Sequence, residues 1–168
     1  MVMRLGEVEV TTARPEGRHR QISANIQIPA AMETVWQVLT DYNHLAEFIP
    51  NLTQSRQISH PHGGVRLEQV GAHSFLKFKF CARVVLDMVE QFPHRLTFQM
   101  VEGDFREFTG SWQLVPVGAS EHPLTELRYT IQVLPPRTMP IGLIERCLQH
   151  NLAMNLTAIR QRVEAVLP

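Results

Sequence analysis

The sequence predicts an α+β fold in which a curved, seven-stranded antiparallel sheet wraps around one long C-terminal helix, with two short helices after the first strand. Two observations carry that prediction. Between Gln21 and Val133 apolar residues recur mainly at period two, the mark of strands with a single buried face. From Ile141 to Leu167 the period changes: Ile144, Leu148, Leu152, Leu156, Ile159, Val163 and Val166 fall at spacings of three and four, along one face of a helix roughly 40 Å long at 1.5 Å per residue.

Length and composition set the frame. A chain of 168 residues suits one domain with a real core. Residues 1–17 read as a loosely held tail or an added edge strand, and 18–168 as a single domain. Sixteen basic residues balance sixteen acidic ones, so no electrostatic footprint for nucleic acid is expected. The start, Met1-Val2-Met3-Arg4-Leu5-Gly6-Glu7, carries no apolar run of a signal peptide, and no stretch reaches the length of a membrane span. Cys81 and Cys147 stand in no metal-like or redox-like spacing, and are read as reduced thiols in a cytoplasmic protein.

Taken in order, Val8, Val10 and Thr12 alternate briefly before Arg14-Pro15-Glu16-Gly17 breaks the pattern. Ile22, Ala24, Ile26 and Ile28 then alternate with polar residues until Pro29 stops the strand. Met32–Thr40 reads as a short helix with Val35, Trp36 and Leu39 on its apolar side, and 43–48 as a second helical turn ended by Pro50. A weak strand over 52–59 and its partner over 65–72 flank the turn His60-Pro61-His62-Gly63-Gly64. The clearest strand follows, with Leu76, Phe78, Phe80, Ala82, Val84, Leu86 and Met88 on one face; a strand of that length is expected to carry a bend or bulge. Three more strands centre on Phe98, on Phe108 to Leu114, and on Leu127 to Val133. Pro135, Pro136 and Pro140 swing the chain into the helix.

Short loops make the last six strands a meander, which leaves 22–28 to pair with the final strand. A sheet with one apolar face must curl around something, and the C-terminal helix is the element long enough. Burying its seven apolar side chains contributes about 10–20 kcal/mol gross. Phe78, Phe80, Phe98, Met100, Phe108, Trp112 and Tyr129, with Ile144, Leu148 and Leu152 of the helix, are the candidates to line a space between sheet and helix. On alternation alone a ligand cavity and a solid aromatic core fit equally well. The first half of the helix, Ile144 to Leu152, is assigned to the cavity, and Leu156 to Val166 to holding the fold.

Two segments carry a family resemblance. Ile28-Pro29, then Val35-Trp36-x-Val38-Leu39-Thr40-Asp41-Tyr42, then Leu45-x-x-Phe48-x-Pro50-Asn51-Leu52, resembles the opening of the polyketide cyclase/dehydrase and coenzyme-Q-binding START-like domains of the SRPBCC superfamily. Gly103-Asp104-Phe105-x-x-Phe108-x-Gly110-x-Trp112 is similar to a later segment of the same group, and the likeness runs from Arg18 to Leu167. The resemblance implies a helix-grip fold with a deep hydrophobic cavity. It also implies either a carrier of an apolar molecule (lipid, isoprenoid or quinone) or, alternatively, an aromatase/cyclase acting on a polyketide-like chain. No position matches a catalytic residue of the aromatase/cyclases, so no catalytic residue is assigned.

No cofactor and no metal site is expected. His60-x-His62 is the nearest approach to ligand spacing, but it sits in a Pro/Gly turn with no carboxylate or cysteine nearby in sequence. A cavity-facing position is open to His73 and His150, although a helix-surface or core position is the commoner one for a histidine. Lys77, Lys79 and Arg83 lie opposite Phe78 and Phe80 on the exterior, where transient contact with an anionic membrane surface is open to them. The expected partner is an apolar small molecule.

Overall fold

The computed structural model describes residues 1–75, 77–118 and 121–167, with Ser74, Phe75 and Phe78 described by backbone alone. Among the described residues nine strands form one antiparallel sheet: β1 (Val2–Leu5), β2 (Val8–Ala13), β3 (Arg20–Ile28), β4 (Leu52–Ile58), β5 (Val65–Phe75), β6 (Phe78–Gln91), β7 (Arg95–Gly103), β8 (Glu107–Val117) and β9 (Leu124–Leu134). Their spatial order is β1-β2-β3-β9-β8-β7-β6-β5-β4, so β3 does pair with the final strand, with Ile22 opposite Ile131. Helix α1 (Met32–Thr40) and a 3₁₀ turn (Tyr42–Glu47) connect β3 to β4, and α2 (Ile141–Val166) closes the chain. The strand of the sequence pattern that includes Leu76 is described only from Phe78 onward; Leu76 lies outside the described residues.

The sheet has nine strands rather than seven because β1 and β2 form a hairpin that extends it beyond β3. Gly6, at φ +62°, supplies the left-handed backbone of the two-residue turn between them. Val8 and Val10 are fully buried, which gives the hairpin an apolar anchor. Polar contacts fix it to α2. The Arg14 guanidinium grips the Glu145 carboxylate through Nε and Nη2 at 3.0 and 2.9 Å, and Gln149 donates to Thr12 Oγ1 at 2.8 Å.

The helix is therefore buried on more than one stripe. Ile144, Leu148, Leu152, Leu156, Ile159 and Val163 are buried as the periodicity requires, but so are Glu145, Cys147, Gln149, Asn151 and Ala153. Val166, at the other end of the apolar series, is 53% exposed. There the helix has reached its last residue, and the hydrophobic period runs one step past its packing surface. The register shift between Val85 and Leu86 in the β6–β7 pairing is the irregularity expected of so long a strand.

Close packing on the inner face depends on Gly110. A Cβ there would fall 2.2 Å from the Thr130 carbonyl oxygen and 2.5 Å from Phe98 Cζ. The absence of a side chain lets the Phe98 ring lie across the β8 backbone.

Candidate functional site

Between one face of the sheet and α2 lies a cavity of about 130 Å³. Strand alternation decides which side chains reach it. On β5 these are Leu67, Gln69, Gly71 and His73, and their register partners on β6 include Leu86, Val84 and Ala82. Phe98 on β7, Phe108 and Trp112 on β8, and Tyr129 on β9 make an aromatic wall. Trp112 and Tyr129 are opposite each other in the ladder and stack with ring centroids 3.7 Å apart and planes 3° apart, while Phe98 and Phe108 stack at 5.7 Å. From α2 the lining residues are Leu148, Asn151, Leu152, Asn155 and Ile159, one stripe at helical spacing.

One corner is polar. The amide of Asn151 meets Nδ1 of His73 in a short hydrogen bond, in which the neutral imidazole accepts. Burial pushes the His73 pKa down to about 4, so the ring is uncharged at neutral pH. Its ring stacks on Phe80 at 4.8 Å and lies close over Gly71, where a Cβ would approach Nε2 to 2.6 Å. Gln69 donates to Ser55 Oγ at 3.2 Å, and Ser55 in turn donates to the Tyr42 carbonyl at 2.7 Å. Asn51 Nδ2 and Asn155 Oδ1 are buried and, among the described residues, have no hydrogen-bond partner. At the cavity edge the Tyr42 hydroxyl donates to Glu90 in a short bond, and burial raises its pKa; burial raises that of Tyr129 as well.

Of the candidates named from sequence, Phe98, Phe108, Trp112, Tyr129, Leu148 and Leu152 come together around the cavity. Phe80 sits behind the polar corner, against His73. Ile144 is fully buried one helical turn before Leu148, and Met100 borders a separate groove beside Glu107 and Gln132. The side chain of Phe78 lies outside the described residues. The helical lining thus runs from Leu148 to Ile159, further along α2 than the sequence places it. His73 reaches the cavity, whereas His150 is exposed.

From the sequence Tyr42 and Asn51 stand out only through the family motif, Tyr42 also as a hydroxyl donor for the cyclase alternative, and neither as cavity lining; Gln69, Asn151 and Asn155 are not singled out at all. A signal for the last two exists: they occupy positions i and i+4 within the same stripe as Leu148, Leu152 and Ile159, where polar residues are unusual.

Among the described residues no group of histidine, cysteine, aspartate and glutamate is arranged to hold a metal. In the turn after β4, His60 Nδ1 accepts the His62 backbone N–H at 2.9 Å and Nε2 faces Asp87 at 3.5 Å. Cys81 and Cys147 are both free thiols, one exposed and one buried. No described helix is long and apolar enough to cross a membrane.

An antiparallel sheet closed on a long C-terminal helix, with an apolar cavity between them, defines a helix-grip protein of the START-like class. Residues 28–160 match the family described as polyketide cyclase / dehydrase and lipid transport, and the chain belongs to that family. Solved structures repeat the fold. A START superfamily protein from Mycobacterium smegmatis superposes with a TM-score of 0.71 at 15% identity, covering 88% of this chain and 99% of that one. A STAR-related lipid transfer protein from Xanthomonas axonopodis gives 0.74 at 15% identity, covering 98% of each chain. The aromatase/cyclase Zhui from a Streptomyces species gives 0.70 at 14% identity, over 87% and 94%. At such identities the likeness is one of fold. No curated protein matches the chain in sequence.

Proposed function

We propose that this protein binds and carries an apolar small molecule (a lipid, isoprenoid or quinone) within the cavity. One observation carries the reading: among its described lining residues the cavity has no Asp, Glu, Lys or Arg, and most of its wall is aliphatic or aromatic. The family's description, which includes lipid transport, supports it. The cavity's titration state supports carriage over the cyclase alternative. A general acid or base works best with a pKa near the working pH, whereas His73 is held at about 4 and Tyr129 is pushed upward, both away from neutrality.

Size sets what the closed protein holds. A cavity of about 130 Å³ is close to the ~150 Å³ engineered cavity that admits benzene. It takes a ring or a short chain segment, and a longer molecule enters only as wall side chains such as Leu148 and Leu152 move. Uptake and release in the cytoplasm, with transient contact at a membrane surface, belong to the same proposal.

The test is organic extraction of the purified protein followed by mass spectrometry, with thermal shifts against a panel of lipids, isoprenoids and quinones. A stoichiometric apolar molecule, or a saturable shift from one class, supports carriage. Repeated absence of both sinks it, and turnover of a poly-β-keto substrate would promote the cyclase alternative in its place.

A further inference from the structure

We propose that the corner formed by Asn51, His73, Asn151 and Asn155 recognises the hydroxyl group of an uncharged ligand, an alcohol or a phenol. The inference rests on the apolar-binding reading and specifies the polar end of the molecule that the cavity takes.

The fold brings the four residues to the wall of one cavity. The Asn51 carbonyl accepts the Ala72 N–H at 2.9 Å, which sets Asn51 beside β5 next to His73. His73 is bonded to Asn151 across to α2, and Asn155 lies one helical turn further along the same stripe. Asn151 and His73 are joined through Asn151 Nδ2 and His73 Nδ1 and hold the geometry. The other two present one buried donor, Asn51 Nδ2, and one buried acceptor, Asn155 Oδ1, both on residues that line the cavity and both unpartnered among the described residues.

A buried polar atom without a partner is unfavourable, and the favoured ligand is one that supplies both missing bonds. A hydroxyl is the smallest group that does so, since its oxygen accepts from Asn51 while its O–H donates to Asn155. A ketone or ether leaves the Asn155 acceptor without a donor. A carboxylate or phosphate would enter without a counter-charge, because no described Lys or Arg lines the cavity. The close approach of His73 over Gly71 keeps the corner compact.

The test uses the full-length protein and three ligands of matched shape: 4-ethylphenol, ethylbenzene and 4-ethylbenzoate, titrated calorimetrically at pH 7.5. The expected result is that the phenol binds about tenfold more tightly than the hydrocarbon, with the benzoate weakest. Asn155→Leu and Asn51→Leu should each bring the phenol to parity with ethylbenzene while ethylbenzene binding holds or tightens; either variant suffices if circular dichroism shows it folded. Equal binding of phenol and hydrocarbon by the wild-type protein overturns hydroxyl recognition and leaves apolar binding standing, as does tightest binding of the benzoate. If none of the three binds, the apolar-binding reading falls and this inference with it.

Discussion

Replacing His73 with glutamine tests the buried polar corner through the pH dependence of stability. Burial holds the folded imidazole at a pKa of about 4, against about 6.5 when unfolded. A lowered folded pKa means that the unfolded chain binds the extra proton between those values. The contribution is therefore complete above pH 6.5 and is lost as pH falls toward 4. Across the whole window the loss is about 3 kcal/mol, of which about 2 kcal/mol has gone by pH 5, before most carboxylates titrate. Urea unfolding followed by circular dichroism at pH 7.5, 6 and 5 reads it directly. Glutamine keeps an acceptor for Asn151 but has no proton to gain, so His73→Gln should flatten that slope. His44, raised by its hydrogen bond to Asp41, titrates alike in both proteins and cancels. If wild type and variant lose stability in parallel between pH 7.5 and 5, His73 is not the buried neutral base described here.

Gly71→Ala should displace the His73 ring, because the new Cβ would lie 2.6 Å from Nε2; a loss of about 1–3 kcal/mol is expected in urea unfolding, with the imidazole pKa rising from about 4 toward its exposed value in an NMR titration. Glu145→Gln should weaken the attachment of the N-terminal hairpin by about 1–3 kcal/mol, since the fork from Arg14 loses its charged acceptor. The same fork holds the Glu145 carboxyl below the usual carboxylate range, so its contribution is present above pH 4.5 and fades in acid; the variant should show a flatter acid limb in a pH series of melting temperatures. Ala82→Val adds two methyl groups to the cavity wall and should raise stability by about 1 kcal/mol while weakening binding of any apolar probe. Calorimetry that finds affinity unchanged in a stabilised Ala82→Val protein would place the ligand elsewhere.

The elements legible in the sequence are those whose partners leave a local trace. Ile22, Ala24, Ile26 and Ile28 face the core as their alternation requires, and α2 begins immediately after Pro140. The N-terminal hairpin is less visible because its ties to the helix are polar and remote. Arg14 and Glu145 stand 131 positions apart, as Gln149 and Thr12 stand 137 apart, and a periodicity of apolar residues does not register a buried glutamate satisfied by a distant arginine. Its one local signal is the two-residue Gly6-Glu7 turn between Val2 to Leu5 and the alternating Val8, Val10 and Thr12. The same asymmetry governs the cavity. Its aromatic wall follows from strand alternation, whereas its polar corner joins residues of the β4 approach, β5 and α2 whose adjacency exists only once the sheet has closed on the helix.

The cavity and its polar corner also cost the domain stability. At about 24 cal/mol per Å³, an empty 130 Å³ space costs about 3 kcal/mol, and each of the two unpartnered polar atoms adds about 1–3 kcal/mol. Their sum is a large fraction of the 5–15 kcal/mol typical of a folded domain. A solid core of the same aromatics would avoid these penalties, and one substitution such as Ala82→Val would move toward it. A ligand that fills the space and bonds both atoms removes them at once; that relief is expressed in its affinity, and at a hundredfold excess over its Kd occupancy stabilises the fold by about 2.7 kcal/mol in all. Fold stability and occupancy are thus coupled through the same few side chains. A hydrocarbon should relieve only the volume part of the deficit, and a hydroxylated ligand of the same shape should relieve both parts.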